Sequence, residues 1–170
     1  MQQTHRRTDG AERAGNNDQM SSFVNRLNRL ISLSDHELQI IARMEAKERR
    51  VSRGDTLIEK GAAVDELMVI RDGWAVAADH PFKERGQILR IFLPGELIGL
   101  PGLGVRRAPN HARMVTDGVV CPFPVSLMTE VFGDAPRLAA LFMALAGLEQ
   151  ISLRDRLAVM GAGDARQRMA

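Results

Sequence analysis

Few residues in this chain could make or break bonds, and those few are scattered. The four histidines are His5, His36, His80 and His111, and no HxH pair exists among them. A metalloenzyme on a small β-barrel needs clustered histidines and a carboxylate on facing strands, so this pattern speaks against one. No GxxxxGK[ST] phosphate loop is present, and no Ser/His/Asp or Cys/His spacing suggests an activated nucleophile. The residues that could bind rather than react are more telling. In Pro94-Gly95-Glu96-Leu97-Ile98-Gly99-Leu100 a carboxylate sits at a glycine corner, and Arg106-Arg107 and His111 follow soon after. That set fits a pocket that senses a molecule and performs no reaction on it. The expectation is no enzyme, no catalytic residue and no bound metal.

The elements that must position this corner can be read from the punctuation around it. Gly54, Gly61, Gly73, Gly86 and Gly95 each fall between short β-like runs. The runs are Val51, Leu57-Ile58, Leu67 to Ile70, Ala75 to Ala77, Ile88 to Phe92, His111 to Thr116 and Val119 to Phe123. Asp72-Gly73 between two of them predicts a tight hairpin. Upstream, Phe23, Leu27, Leu30 and Ile31 recur at helical spacing. Ser34 followed by Glu37 predicts a capping box for a second helix with Leu38, Ile41 and Met44 on its apolar face.

Downstream of Val125 the helical period returns. Asp134 reads as an N-cap with Pro136 in the first turn. The predicted helix runs to Met160 and stops at Gly161, about 38 Å long at 1.5 Å per residue. Leu138, Leu141, Leu145, Leu148 and Ser152 form one stripe on it; Phe142, Leu153, Leu157 and Met160 form another. Two stripes on one helix suit packing on the chain's own body plus pairing with a second helix. Gly161-Ala162-Gly163-Asp164 reads as a hinge and a new N-cap.

Composition bounds the rest. A chain of 170 residues with 45% hydrophobic and 26% charged residues suits one domain with a real core. A net charge of +2 is too small to imply a nucleic-acid surface. No apolar run nears the roughly 18 residues of a membrane span, and the start lacks an apolar signal core. With Cys121 as the single cysteine, an internal disulfide is ruled out. The cytoplasm and no membrane partner are the expectation. Residues 1–18 read as a disordered tail, 19–133 as the β domain, 134–161 as the long helix, and 162–170 as a hinge and the start of a further domain.

From about Phe23 to Ala170 the chain resembles the sensor half of bacterial Crp/Fnr transcription regulators. The resemblance lies in Val51-Ser52-Arg53-Gly54-Asp55, Gly61, Asp65-Glu66-Leu67, Ile70, Gly73, Phe92, Pro94 to Leu100 and Cys121-Pro122-Phe123-Pro124. It implies an α+β fold: a jelly-roll-like, cyclic-nucleotide-binding β-roll with N-terminal helices and a long C-terminal dimerisation helix. It also implies a homodimer, and DNA binding through a helix-turn-helix that the chain stops short of. A runner-up reading is a stand-alone module that heterodimerises with full-length regulators without a ligand.

The resemblance also assigns candidate ligand residues. Glu96 stands for the family's ribose-binding glutamate, or else holds backbone amides of its own turn; Gly95 and Leu97 flank it. Two alignments compete for the phosphate cluster: one places Arg106-Arg107-Ala108 there, the other Asn110-His111-Ala112. The second keeps strand register through Cys121 and is preferred, so the phosphate arginine is lost. Leu153 and Arg154 replace the two hydroxyl residues of cyclic-AMP binders. The expected effector is therefore an unknown small molecule other than cyclic AMP. It would bind near Glu96 and rotate the paired helices at Gly161–Gly163. Cys121 matches one ligand of the iron–sulfur branch, but a cluster needs four cysteines, so no iron–sulfur cofactor is expected.

Overall fold

The computed structural model describes residues 20–79 and 87–167, in two units that divide after Met128. The expected tail at 1–18 and the glycine corner at Gly86 lie outside the described residues.

Among the described residues the first unit opens with two helices, α1 (Ser22–Asn28) and α2 (Asp35–Met44). Each starts where a serine can satisfy free amides. Ser21 Oγ accepts from Val24 N–H at 3.1 Å. At α2 the capping box is complete: Glu37 N–H donates to Ser34 Oγ, and Ser34 N–H donates to Glu37 Oε2 at 2.7 Å. The buried face of α2 is Ile40, Ile41 and Met44. Leu30 and Ile31 lie beyond the end of α1, and Leu30 is exposed.

Among the described residues eight strands follow: β1 (Arg49–Val51), β2 (Thr56–Ile58), β3 (Glu66–Asp72), β4 (Ala75–Ala78), β5 (Ile88–Phe92), β6 (Leu97–Ile98), β7 (His111–Met114) and β8 (Gly118–Pro124). They form two four-stranded antiparallel sheets, ordered β1-β8-β3-β6 and β2-β7-β4-β5. Alternation fills the space between them. Val51, Met68, Ile70, Ile98 and Val120 from one sheet meet Ala75, Ala77, Phe92, Ala112 and Met114 from the other in one buried cluster. The opposite face of the first sheet carries Leu67, Val69, Cys121 and Phe123, all buried, and packs beneath α1 and α2. This is the expected α+β architecture.

The predicted Asp72-Gly73 hairpin is corrected. β3 and β4 belong to different sheets, so this turn is a corner at which the chain crosses between them. Gly73 has φ +84°, and a Cβ there would lie 2.6 Å from Asp117 O. The glycine answers to a close approach of the β7–β8 turn, not to hairpin geometry.

The second unit carries α3 (Val125–Asp134, begun in the first unit) and α4 (Pro136–Gln167). Asp134 closes α3 and does not cap α4. Pro136 disfavours helical geometry at Ala135, and its missing N–H costs nothing at a helix start. Nor does α4 stop at Gly161: it runs unbroken through the expected hinge at Gly161–Gly163 for 32 residues in all. Each glycine costs about 1 kcal/mol against alanine, yet an established helix gains a hydrogen bond per added residue. Among the described residues no single helix is long and apolar enough to cross a membrane.

Candidate functional site

The corner that the sequence singled out is built by β3, β5 and β6. Gly95 N–H donates to Ile70 O at 2.7 Å, and Ile70 N–H donates to Glu96 O at 2.9 Å. These bonds pin residues 95–96 against β3 and leave the Glu96 side chain to turn toward α1. Glu96 is 9% exposed, and its carboxylate is fully engaged. Oε1 pairs with the Arg26 guanidinium of α1 at 2.6 Å. Oε2 lies 3.5 Å from Arg90 Nη2 and accepts from Leu93 N–H at 3.3 Å. Arg90 in turn lies over the Phe92 ring, 4.4 Å from its centroid. Such charge-assisted bonds are the strong kind, and a ligand hydroxyl would have to compete with two guanidinium groups. In this arrangement Glu96 accepts from an amide of its own turn, that of Leu93. Leu97 beside it is buried in β6, opposite Val69.

Glycine at position 95 is required by its neighbours. Its φ is +82°, and a Cβ would stand 2.5 Å from Ser22 O. The corner and the start of α1 are therefore in backbone contact.

The basic candidates are placed apart from this. Arg106 is exposed in the left-handed region, with φ 55°. Its carbonyl accepts from Val64 N–H. The exposed Arg107 guanidinium donates to Gly61 O at 2.9 Å, and Arg107 bridges Ala63. Both arginines thus stitch the 100–108 loop to the 61–64 turn. His111 opens β7, with Nδ1 2.8 Å from Glu59 Oε2 and 3.3 Å from Lys60 N. Nδ1 can donate to Glu59 or accept from Lys60 N–H, but not both at once. Ala112 is a buried core residue paired with Ala77.

Residues 48–134 match the cyclic nucleotide-binding domain family. The chain belongs to that family. The Crp/Fnr kinship drawn from the sequence holds as well. The fumarate nitrate reduction regulatory protein of Klebsiella oxytoca is 26% identical over 141 residues, covering 82% of this chain and 56% of the relative. Its Escherichia coli K12 counterpart matches to the same extent. This chain thus spans about half the length of those curated relatives. Among solved structures, the Thermus thermophilus catabolite activator protein shares the fold with a TM-score of 0.67 at 18% identity, over 81% of this chain and 65% of that one. The c-di-GMP responsive regulator CLP of Xanthomonas campestris does so with a TM-score of 0.61 at 18% identity, over 71% of this chain and 63% of that one. These relatives are named as regulatory proteins. Among the described residues no group of three His, Cys, Asp or Glu could hold a metal ion.

The Glu96 carboxylate is engaged by Arg26, Arg90 and the Leu93 amide, and the exposed Arg107 guanidinium donates to Gly61 O. Two surface clefts of about 430 and 350 Å³ open elsewhere. The larger is lined by Glu48, Arg50, Asp72 and Asp117 among others, the smaller by Ser21, Leu38, Glu45 and Arg71 among others. None of the sequence-predicted ligand residues lines either cleft.

The helix candidates fall on α4. Leu138 and Leu141 are buried within the single chain, which corrects their expected place in a dimer seam. Leu145 is half-buried. Leu148, Ile151 and Met143 are 53%, 55% and 63% exposed. Arg154 is exposed, and the side chains of Ser152 and Leu153 lie outside the described residues. Sequence reasoning also missed Arg26 and Arg90 as partners of Glu96. Arg90 was within reach, since it shares a strand face with Phe92. Arg26 lies 70 positions away (96 − 26 = 70) with no local signal.

Proposed function

We propose that this chain is the effector-sensing and dimerisation part of a Crp/Fnr-type transcription regulator, tuned to a signal other than cyclic AMP. The observation that carries the reading is the Glu96 carboxylate, held by Arg26, Arg90 and the Leu93 amide inside a β-roll of the cyclic nucleotide-binding family. A roll that kept a nucleotide site would leave that acid for a ribose. CLP, described as responsive to c-di-GMP, gives precedent for this fold serving another signal. The partners on this reading are a second copy of the chain and, for the regulator as a whole, DNA; its place is the cytoplasm.

The dimer surface is the exposed face of α4. Ala140, Ala144, Gly147, Ile151, Arg154 and Ala158 are all exposed and recur at alternating four- and three-residue steps. That is the a/d spacing of a coiled coil. A Cβ on Gly147 would meet nothing within 4 Å, so a facing helix could approach closely there. Titration calorimetry with cyclic AMP and cyclic GMP tests the ligand reading. No binding heat is expected, and micromolar affinity for either nucleotide would overturn it.

A further inference from the structure

His111 stands where three segments meet, and one of its ring nitrogens has two partners within reach. Nδ1 lies 2.8 Å from Glu59 Oε2 and 3.3 Å from Lys60 N. The first contact needs a proton on Nδ1 and the second needs a lone pair there. Both partners belong to the turn after β2, and that turn is a hub. Gly61 N–H donates to Ala108 O at 2.8 Å, and Ala108 N–H donates to Ala62 O at 2.9 Å. The Arg107 guanidinium donates to Gly61 O. The Lys60 ammonium donates to Asp79 O at 3.0 Å, just past the end of β4. The turn, the 100–108 loop and the end of β4 thus come together where β7 begins. Among the described residues, the charged groups on these elements are Glu59, Lys60, Asp79, Arg106 and Arg107, with Arg113 on β7 itself.

We propose that His111 is a proton-driven exchanger, whose charged ring holds the Glu59 side chain and whose neutral ring holds the Lys60 main chain. In the imidazolium both nitrogens carry protons, and Nδ1–H donates to Glu59 Oε2 in a charge-assisted bond. Lys60 N–H then faces another donor and gains nothing from the ring. Loss of the Nδ1 proton to solvent leaves a neutral ring protonated on Nε2. The Nδ1 lone pair now accepts from Lys60 N–H and repels the carboxylate beside it. Release costs Glu59 little, because its side chain is 64% exposed and water replaces the ring. The His111 side chain is only 14% exposed, so the ring keeps its place while its partner changes. An imidazole is the one side chain whose ordinary charge change falls between about pH 5 and about pH 8.

The direction of the effect follows from which atoms are held. A bond to Lys60 N–H fixes the backbone of the turn, whereas a bond to Glu59 fixes only a side chain. Rising pH therefore tightens the turn and, through Gly61 and Ala108, the loop that follows the Glu96 corner. The exchange does not depend on which effector the roll takes.

Nitrogen-15 NMR of the full chain between about pH 5 and about pH 8 tests it. The His111 ring signals are those lost in His111→Ala. At the upper end Nδ1 should give the signal of an unprotonated nitrogen and Nε2 that of a protonated one. Exchange of Lys60 N–H, corrected for intrinsic rates, should be about fivefold slower at the upper end than at the lower, the factor expected of one ordinary hydrogen bond. Gly61 and Ala108 amides should move in the same direction. His111→Ala should abolish the pH dependence at Lys60. Glu59→Gln should leave Lys60 N–H protected at the upper end, since that arm does not use the carboxylate. The proposal is overturned if the neutral ring carries its proton on Nδ1, or if wild-type Lys60 protection is flat with pH. It is equally overturned if His111→Ala keeps the wild-type dependence, or if Glu59→Gln exposes Lys60 N–H at the upper end.

Discussion

Replacing Gly95 with alanine should destabilise the fold by more than its backbone strain alone. Two contributions can be separated. With φ at +82°, any L-residue there adopts the left-handed region, at roughly 1–2 kcal/mol. The new Cβ would also stand 2.5 Å from Ser22 O and 2.8 Å from Ser22 C. Both are backbone atoms at the start of α1, so the helix itself must retreat. Its Phe23 and Leu27 are buried at 1% and 0%, and forcing packed groups apart costs about 1–3 kcal/mol. The sum is about 2–5 kcal/mol. Gly54 supplies the control: φ is +96°, and a Cβ there meets nothing within 4 Å. Gly54→Ala should therefore lose only the strain, about 1–2 kcal/mol. Urea unfolding of both variants gives the difference directly, and the melting temperature should track it at about 2–4 °C per kcal/mol. If Gly95→Ala costs no more than Gly54→Ala, the contact between the corner and α1 does not matter energetically and the reasoning fails.

Three further outcomes are expected. Ile151→Glu combined with Leu148→Glu should convert a dimer to monomers in analytical ultracentrifugation; an unchanged mass would remove α4 as the seam. Burial pushes the Cys121 thiol above its ordinary 9.0, so the native state holds that proton more tightly than the unfolded chain. Stability should then fall as pH climbs past the ordinary thiol range, a decline that Cys121→Ala should lack in pH-dependent urea titrations. Phe123→Ala, at a fully buried position beneath the helices, should cost about 3–5 kcal/mol by the same measurement.

Much of the β-roll could be read in advance because its signals are local. The Ser34–Glu37 box is written within four residues, and each strand carries its own apolar run bounded by a turn. What escaped reading depends on distant partners. Asp72-Gly73 looks like a hairpin because local turn chemistry is the same whether the chain folds back or crosses to another sheet; only Asp117 decides it. Leu138 and Leu141 sit on an apolar stripe, but periodicity does not say whether the chain's own body or a partner covers it. The fate of Glu96 was illegible for the same reason: a glycine corner fixes where the carboxylate is, while Arg26 decides what it does. At Gly161–Gly163 glycine composition suggested a break, and helix continuity overrode it.

The strand order has a consequence for how the chain is made. In the first sheet β8 lies between β1 and β3, so among the described residues β1 has no other strand neighbour. Its pairing of Arg49 with Val120 cannot form until β8 has been synthesised. At about 5–20 residues per second, β1 waits about 4–14 s for its partner on the ribosome. Over that interval the short edge strand, with two arginines in three residues, is charged enough to resist pairing with other nascent chains. The order of synthesis thus makes β8 the closing piece of the roll, and substitutions in it should show first as poor yield of folded protein.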